Sequence, residues 1–153
     1  MSDSNLSIVI LAAGKGTRMR SALPKVLQPL AAKPLLGHVL DAASRLGAHE
    51  TCVVYGHGGE LVKSAFNSTA LNWALQEPQL GTGHAVQQAM PMVSADSIVV
   101  VLYGDVPLVL PETIQRMADA TEGSKLVLMT VDAVNPRGYG RILRNAADEV
   151  QSD

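Results

Sequence analysis

The sequence is poor in cysteine, in aromatic side chains and in long apolar runs, and each shortage excludes a class of protein. Its one cysteine, Cys52, cannot form an internal disulfide framework, which favours a reducing compartment. Cys52 sits inside an apolar run and reads as a small buried core residue rather than a nucleophile. No stretch approaches the roughly 18 apolar residues needed to span a bilayer. The opening "MSDSNLS" lacks the basic and apolar parts of a signal peptide, so the expected location is the cytoplasm. Net charge is only -2 over 153 residues, so nothing marks the whole chain as a binder of nucleic acid or of a membrane surface. Aromatics supply 3% of residues, which leaves Val, Leu, Ile, Ala and Met to fill the core of about one domain. That composition suits layered α/β packing.

What is present is an alternation of strand-like and helix-like segments. Leu6 to Ala12 is a nearly continuous apolar run closing on small residues and glycine, the pattern of a strand buried on both faces. From Pro34 to Leu46 apolar residues recur at helical spacing, with Pro34 in the first turn and Gly47 as the stop. Thr51 to Tyr55 reads as a second buried strand, then comes the turn "GHGG" and a helix to about Phe66. "LNWALQ" is a short third strand, a helix spans about Gly83 to Met90, and "SIVVVLYGD" is a fourth strand ending in Gly104 and Asp105. Pro111 opens a helix to about Ala120, and "KLVLMTVDA", residues 125–133, is a fifth strand. "GRILR" begins a hairpin whose second arm lies in "NAADEVQSD". This alternation predicts right-handed βαβ units around a mostly parallel sheet.

Ligands of open parallel sheets bind beyond the carboxyl ends of the strands. Three strands here end in chemically interesting loops: Leu11–Met19, Gly56–Gly59 and Tyr103–Pro107. The first reads "LAAGKGTRM". A dinucleotide fingerprint needs a third glycine where Met19 stands, and a P-loop needs Lys after its second glycine, whereas Lys15 precedes Gly16. Neither pattern fits. The stretch still lets a ligand approach the backbone at Ala12, Ala13 and Gly14, whose N–H groups can face phosphate oxygens. Arg18 and Lys25 add positive charge, and Arg can fork onto two oxygens. The competing reading is a plain strand-to-helix turn with solvated basic residues, and for Lys15 the two readings stand level. Asp105 ends an apolar strand, where an unpaired buried carboxylate is costly. It is either a turn residue before Pro107 or a ligand-handling group. His38, His49, His57 and His84 lack the companion ligands of a metal site and read as structural.

Taken in order, "LAAGKGTRMRSALPKVL", "VVYGHGG", "LQEPQLGTGHA", "LYGDVPL" and "GYGRI" resemble the sugar-nucleotide pyrophosphorylases, whose signature is L-x-x-G-x-G-x-R-M followed by P-K. Within that family the order and spacing resemble the N-acetylglucosamine-1-phosphate uridyltransferases that are fused to a glucosamine-1-phosphate acetyltransferase. The resemblance runs from Leu6 to Ile142. It implies a Rossmann-like three-layer nucleotidyltransferase fold that makes UDP-N-acetylglucosamine and pyrophosphate from UTP and N-acetylglucosamine 1-phosphate. A sugar-phosphate oxygen attacks the α-phosphorus in line with the departing pyrophosphate. That phosphate is already largely ionised at neutral pH, its second pKa being about 6, so no general base is required. Catalysis then rests on positioning and charge neutralisation.

The resemblance also distributes roles. Backbone at Leu11, Ala12 and Gly14 contacts the nucleotide, and Arg18 and Lys25 handle the triphosphate and its developing charge. Gln76, Gly81 and Thr82 recognise uracil and ribose, for which an amide offers both donor and acceptor. Tyr103, Gly104 and Gly140 contact the sugar, Tyr139 shapes its turn, and Asp105 is a ligand to Mg²⁺. Members of the family continue past residue 153, where they supply further sugar and Mg²⁺ ligands and a left-handed β-helix with acetyltransferase and trimer contacts. The expectation is therefore the N-terminal portion of a pyrophosphorylase domain over residues 1–153, truncated, without acetyltransferase activity and without the trimerisation domain. Two alternatives stay open: a non-catalytic uridine-nucleotide-binding module, and a pyrophosphorylase for another sugar nucleotide.

Overall fold

The computed structural model describes residues 5–14, 21, 23–56, 58–67 and 70–151. The first half of the chain forms β1 (Leu6–Leu11), a 3-10 turn (Lys25–Leu27), β2 (Pro29–Leu30), β3 (Lys33–Pro34), α1 (Leu35–Ser44), β4 (Glu50–Tyr55) and α2 (Glu60–Ala65). The second half forms β5 (Asn72–Leu75), α3 (Thr82–Ala89), a 3-10 turn (Met90–Met92), β6 (Ile98–Tyr103), α4 (Pro111–Ala120), β7 (Leu143–Arg144) and β8 (Val150–Gln151). Four strands make one parallel sheet in the order β5-β4-β1-β6. The three-layer α/β expectation holds.

Strand order follows from handedness. From β1 the chain steps outward to β4 and β5, then crosses back over both to lay β6 on the other flank of β1. Right-handed crossovers running in opposite directions place their helices on opposite faces of a sheet. Side-chain alternation along β1 matches this arrangement. Ile8 and Ile10 face a cluster with Leu36, Val39 and Leu40 of α1 and Val62 of α2. Val9 faces the other way, into a cluster with Cys52, Val54 and Ala74 and with Ala85 and Ala89 of α3. Each such aliphatic side chain contributes about 1.5–3 kcal/mol when fully buried, and Ile8, Val9 and Ile10 are all fully buried. The small alanines of α3 let that helix approach the sheet closely.

Two local features depart from expectation. Pro34 caps α1 instead of opening it, because it is still extended (ψ 145) and pairs with Pro29 in the β2–β3 hairpin. Ala31 and Ala32 form the hairpin turn with φ 49 and 63, a conformation normally given to Asn and Gly. The fifth strand is absent. Residues 125–133 join no ladder, and Leu126 and Val131 are 86% and 79% exposed. An apolar run becomes a strand only where a neighbouring strand takes its N–H and C=O groups, and no described strand does so here. The terminal hairpin forms as expected, from β7 and β8.

Candidate active site

The carboxyl ends of β1, β4, β5 and β6 meet at the point where the strand order reverses. Backbone hydrogen bonds carry the sheet one step past its strands and set the roots of the loops. Ala12 N–H donates to Val54 O at 2.8 Å, Gly104 N–H to Leu11 O at 2.9 Å, and Gln76 N–H to Tyr55 O at 2.8 Å. Above them lies a cleft of about 330 Å³, within the ordinary size of a small-ligand site. Leu11, Ala12, Gly14, Lys25, Gln76, Gly81, Thr82, Tyr103 and Asp105 line it, all of them expected from the sequence. Ala13, whose backbone the sequence also offers to a ligand, lines it too, as do Val26, Gln79 and Ala85, which were not foreseen.

One end of the cleft is charged. Lys25 opens the 3-10 turn after Pro24, whose extended backbone (ψ 143) swings the lysine toward the sheet. Its Nζ donates to Asp105 Oδ2 at 2.5 Å, joining residues 80 apart in sequence. The side chains are 42% and 27% exposed, so water screens the pair. Partly exposed pairs of this sort contribute about 0–1 kcal/mol, and a ligand can separate them at small cost. Gly104 is buried beneath this end and is not on the cleft wall. A Cβ there would press on Leu11 O at 3.2 Å, Val26 Cγ1 at 3.3 Å and Leu36 Cδ1 at 3.4 Å. Its evident task is to let the Tyr103–Asp105 turn sit down on β1.

The opposite end is polar and uncharged. Gln76 is only 3% exposed, and its Nε2 donates to Gly81 O at 2.8 Å. Gly81 takes φ +100, a value that L side chains rarely adopt, so only glycine bends the loop into α3 without strain. Its carbonyl also accepts the Ala85 N–H at 3.1 Å as α3 begins. Gln79, in the same loop, donates its amide to Ala13 O and so clips this loop to the one after β1. A Cβ at Gly56 would overlap the Gln79 amide and stand 2.9 Å from Ala13 O. The "QL" of "EPQLGTG" carries no spacing signal that reveals the clip; it depends on two loops meeting in space.

Other sequence candidates fall elsewhere. Gly140 lies in the exposed stretch after α4 and does not line the cleft. Tyr139 is 69% exposed, so its ring packs against nothing that buries it. Arg18, Lys15 and His57 lie outside the described residues. His38 is structural as expected, its Nε2 2.8 Å from Leu30 O beside the hairpin. Burial pushes the Cys52 thiol up to about 11, helped by the Glu50 charge and opposed by a backbone hydrogen bond at Ala74. That thiol is a core residue and not a nucleophile at neutral pH. Among the described residues no group of three His, Cys, Asp or Glu side chains gathers to hold a metal, and no helix is long and apolar enough to cross a membrane.

Relatives can now be set beside this geometry. The chain is 61% identical to the Bifunctional protein GlmU of Azoarcus sp. (strain BH72) over 145 residues, which cover 95% of this chain and 32% of that protein. The chain thus spans about a third of the length of the curated relatives it matches. Among solved structures it resembles a nucleotidyl transferase from Methanothermobacter thermautotroptrophicus (Mth528), with TM-score 0.68 and 26% identity over 74% of this chain and 56% of that one. It also resembles Rv0371c from Mycobacterium tuberculosis H37Rv in its complex with manganese, with TM-score 0.65 and 26% identity over 78% of this chain and 60% of that one. These matches bear out the resemblance drawn from the motifs, and the nucleotidyltransferase fold with it. The MobA-like NTP transferase domain family matches residues 8–153, and the chain belongs to that family.

Proposed function

We propose that residues 1–153 are the N-terminal portion of a sugar-nucleotide pyrophosphorylase domain whose substrates are UTP and N-acetylglucosamine 1-phosphate. The observation that supports this reading best is the convergence, at one cleft, of the Lys25–Asp105 pair with Gln76, Gly81 and Thr82. The likeness to GlmU supports the choice of sugar and base. In the reaction a phosphate oxygen of the sugar phosphate bonds to the α-phosphorus of UTP. The bond from that phosphorus to the β-phosphate's bridging oxygen breaks, and pyrophosphate leaves with its electron pair. No proton needs to be removed from the nucleophile.

The chain's residues then act by position and charge. Small residues at Ala12 to Gly14 let the phosphates approach the loop, where the N–H groups of Ala13 and Gly14 can meet them, and the first turn of α3 at Thr82 adds the positive end of a helix. Lys25 leaves Asp105 for the triphosphate, and Arg18 joins it there. The freed Asp105 carboxylate is a hard oxygen donor on the cleft wall, which fits Mg²⁺, an ion commonly held by one or two carboxylates plus substrate phosphates. When bound, Mg²⁺ neutralises charge on those phosphates. The manganese complex of a structural relative is in keeping with a divalent ion.

The test is pyrophosphate release from UTP plus N-acetylglucosamine 1-phosphate with Mg²⁺, run beside a calorimetric UTP titration. Pyrophosphate release that requires both substrates is the result that supports the uridyltransferase reading. A second reading, uridine-nucleotide binding without turnover, is favoured by one observation: Gly140 stands in an exposed stretch away from the cleft, leaving the sugar side open. UTP binding without pyrophosphate release supports that reading, and failure to bind UTP overturns both.

A further inference from the structure

We propose that His84, which stands behind Gln76 and not on the cleft wall, is a positioning residue that works with Gly81 to hold the nitrogen end of the Gln76 amide away from the base. This rests on the uridine reading of the cleft. His84 Nδ1 lies 3.2 Å from Gln76 Nε2, and His84 Nε2 lies 3.2 Å from the Nε2 of Gln88, one turn further along α3. Two amide nitrogens thus face one imidazole, and a neutral imidazole offers one lone pair and one N–H. Only one amide can keep that orientation.

Gly81 decides which. Its carbonyl oxygen can only accept, so the group 2.8 Å away must be the NH₂ end of Gln76. Gln76 therefore keeps its nitrogen toward His84, and the lone pair belongs on Nδ1. The proton then sits on Nε2, and the Gln88 amide turns end for end to accept it with its oxygen. Both hydrogens of the Gln76 amide are now spent on the protein, one on Gly81 and one on His84. Its oxygen, Oε1, is the atom left for a ligand. No buried side-chain N or O among the described residues lacks a partner, and Gln76 lines the cleft, so Oε1 opens into it.

An acceptor fixed at that point discriminates between bases. Uracil carries an N–H at ring position 3 and donates to Oε1. Cytosine has a lone pair there, and two lone pairs repel. Reversing the amide would suit cytosine, but it would set Oε1 against Gly81 O and against the His84 Nδ1 lone pair. His84 and Gly81 together make the reversed state costly, and His84 is the half of that pair which a substitution can remove without touching the backbone.

Two measurements test this. The first is the ¹⁵N NMR signature of His84 in the ligand-free chain at neutral pH. The Nε2–H tautomer with bare Nδ1 is expected, and an Nδ1–H tautomer overturns the inference whether or not UTP binds. The second compares calorimetric affinities for UTP and CTP in the parent chain, His84→Ala and His84→Asn. Asn carries an acceptor oxygen on Cγ, where His carries Nδ1. His84→Ala is expected to lower the UTP-over-CTP ratio roughly tenfold, the worth of one buried hydrogen bond, and His84→Asn to restore it. An unchanged ratio in His84→Ala with UTP binding retained overturns the inference alone. Equal affinity of the parent chain for UTP and CTP overturns the uridine reading and the inference together.

Discussion

"SIVVVLYGD" and "KLVLMTVDA" are equally apolar, yet the first is β6 and the second joins no ladder. β6 pairs with β1 residue for residue, from Leu6 with Ile98 to Leu11 with Tyr103. Residues 125–133 have no such neighbour among the described residues and leave Leu126 and Val131 in solvent. β-propensity and hydrophobicity describe what a strand can be, while a ladder decides whether it is one. The site shows the same division. Every described residue expected to meet a ligand from a sheet-end loop reaches the cleft or its floor, whereas Gly140, in the unpaired stretch, does not.

The most severe way to probe this contrast is at its centre. Ile10→Ala removes a fully buried side chain of β1 and should cost about 3 kcal/mol in urea unfolding. A loss near that of a surface substitution would mean that β1 is not the keystone described here. Lys25→Ala comes next: UTP affinity should fall by about 2 kcal/mol, the worth of a hydrogen bond to a charged group, with little change in the thermal midpoint. Equal losses of binding and stability would show that Lys25 serves the fold. Asp105→Asn keeps the shape but discards the charge, and the Mg²⁺ dependence of UTP binding should disappear in a titration with and without the ion.

A gentler probe is pH. The Cys52 thiol is raised in the folded chain from 9.0 to about 11, so its share of stability is complete below pH 9 and is lost as pH rises toward 11. Unfolding monitored across that interval should show the loss, and Cys52→Ser should abolish its Cys-specific part. Smallest of all are the effects expected in the unpaired stretch. Val131→Ala should change stability by less than about 0.5 kcal/mol, and Gly140→Ala should leave UTP affinity unaltered. A large effect of either would mean that residues 125–142 pack in solution, and the contrast with β6 would fail.

Much of the fold was legible because parallel strands buried on both faces leave runs such as "LSIVILAA", and because Pro and Gly punctuate the helices. The β2–β3 hairpin was hidden, since its turn uses two alanines at positive φ where Asn-Gly would have announced it. The cleft was legible at the loops carrying Gly, Lys and Asp motifs. Gln79 and His84 were not, because their meaning comes from contacts across the fold: one amide on the Ala13 carbonyl, one imidazole behind Gln76. Sequence spacing along α3 puts His84 on a helix but is silent on what the neighbouring loop offers it.

β1 donates Ala12 N–H to β4 on one side and lends Leu11 O to Gly104 on the other. The uncharged loop at Gln76–Gly81 and the charged turn are thus hung on opposite neighbours of a single strand, with no hydrogen bond running directly between them among the described residues. For a lineage this is a division of inheritance. Substitutions around Gln76, Gly81 and His84 can reshape the uncharged end of the cleft while Lys25 and Asp105 pass to descendants untouched. One ancestral sheet end can in this way admit different ligands without rebuilding its charged side.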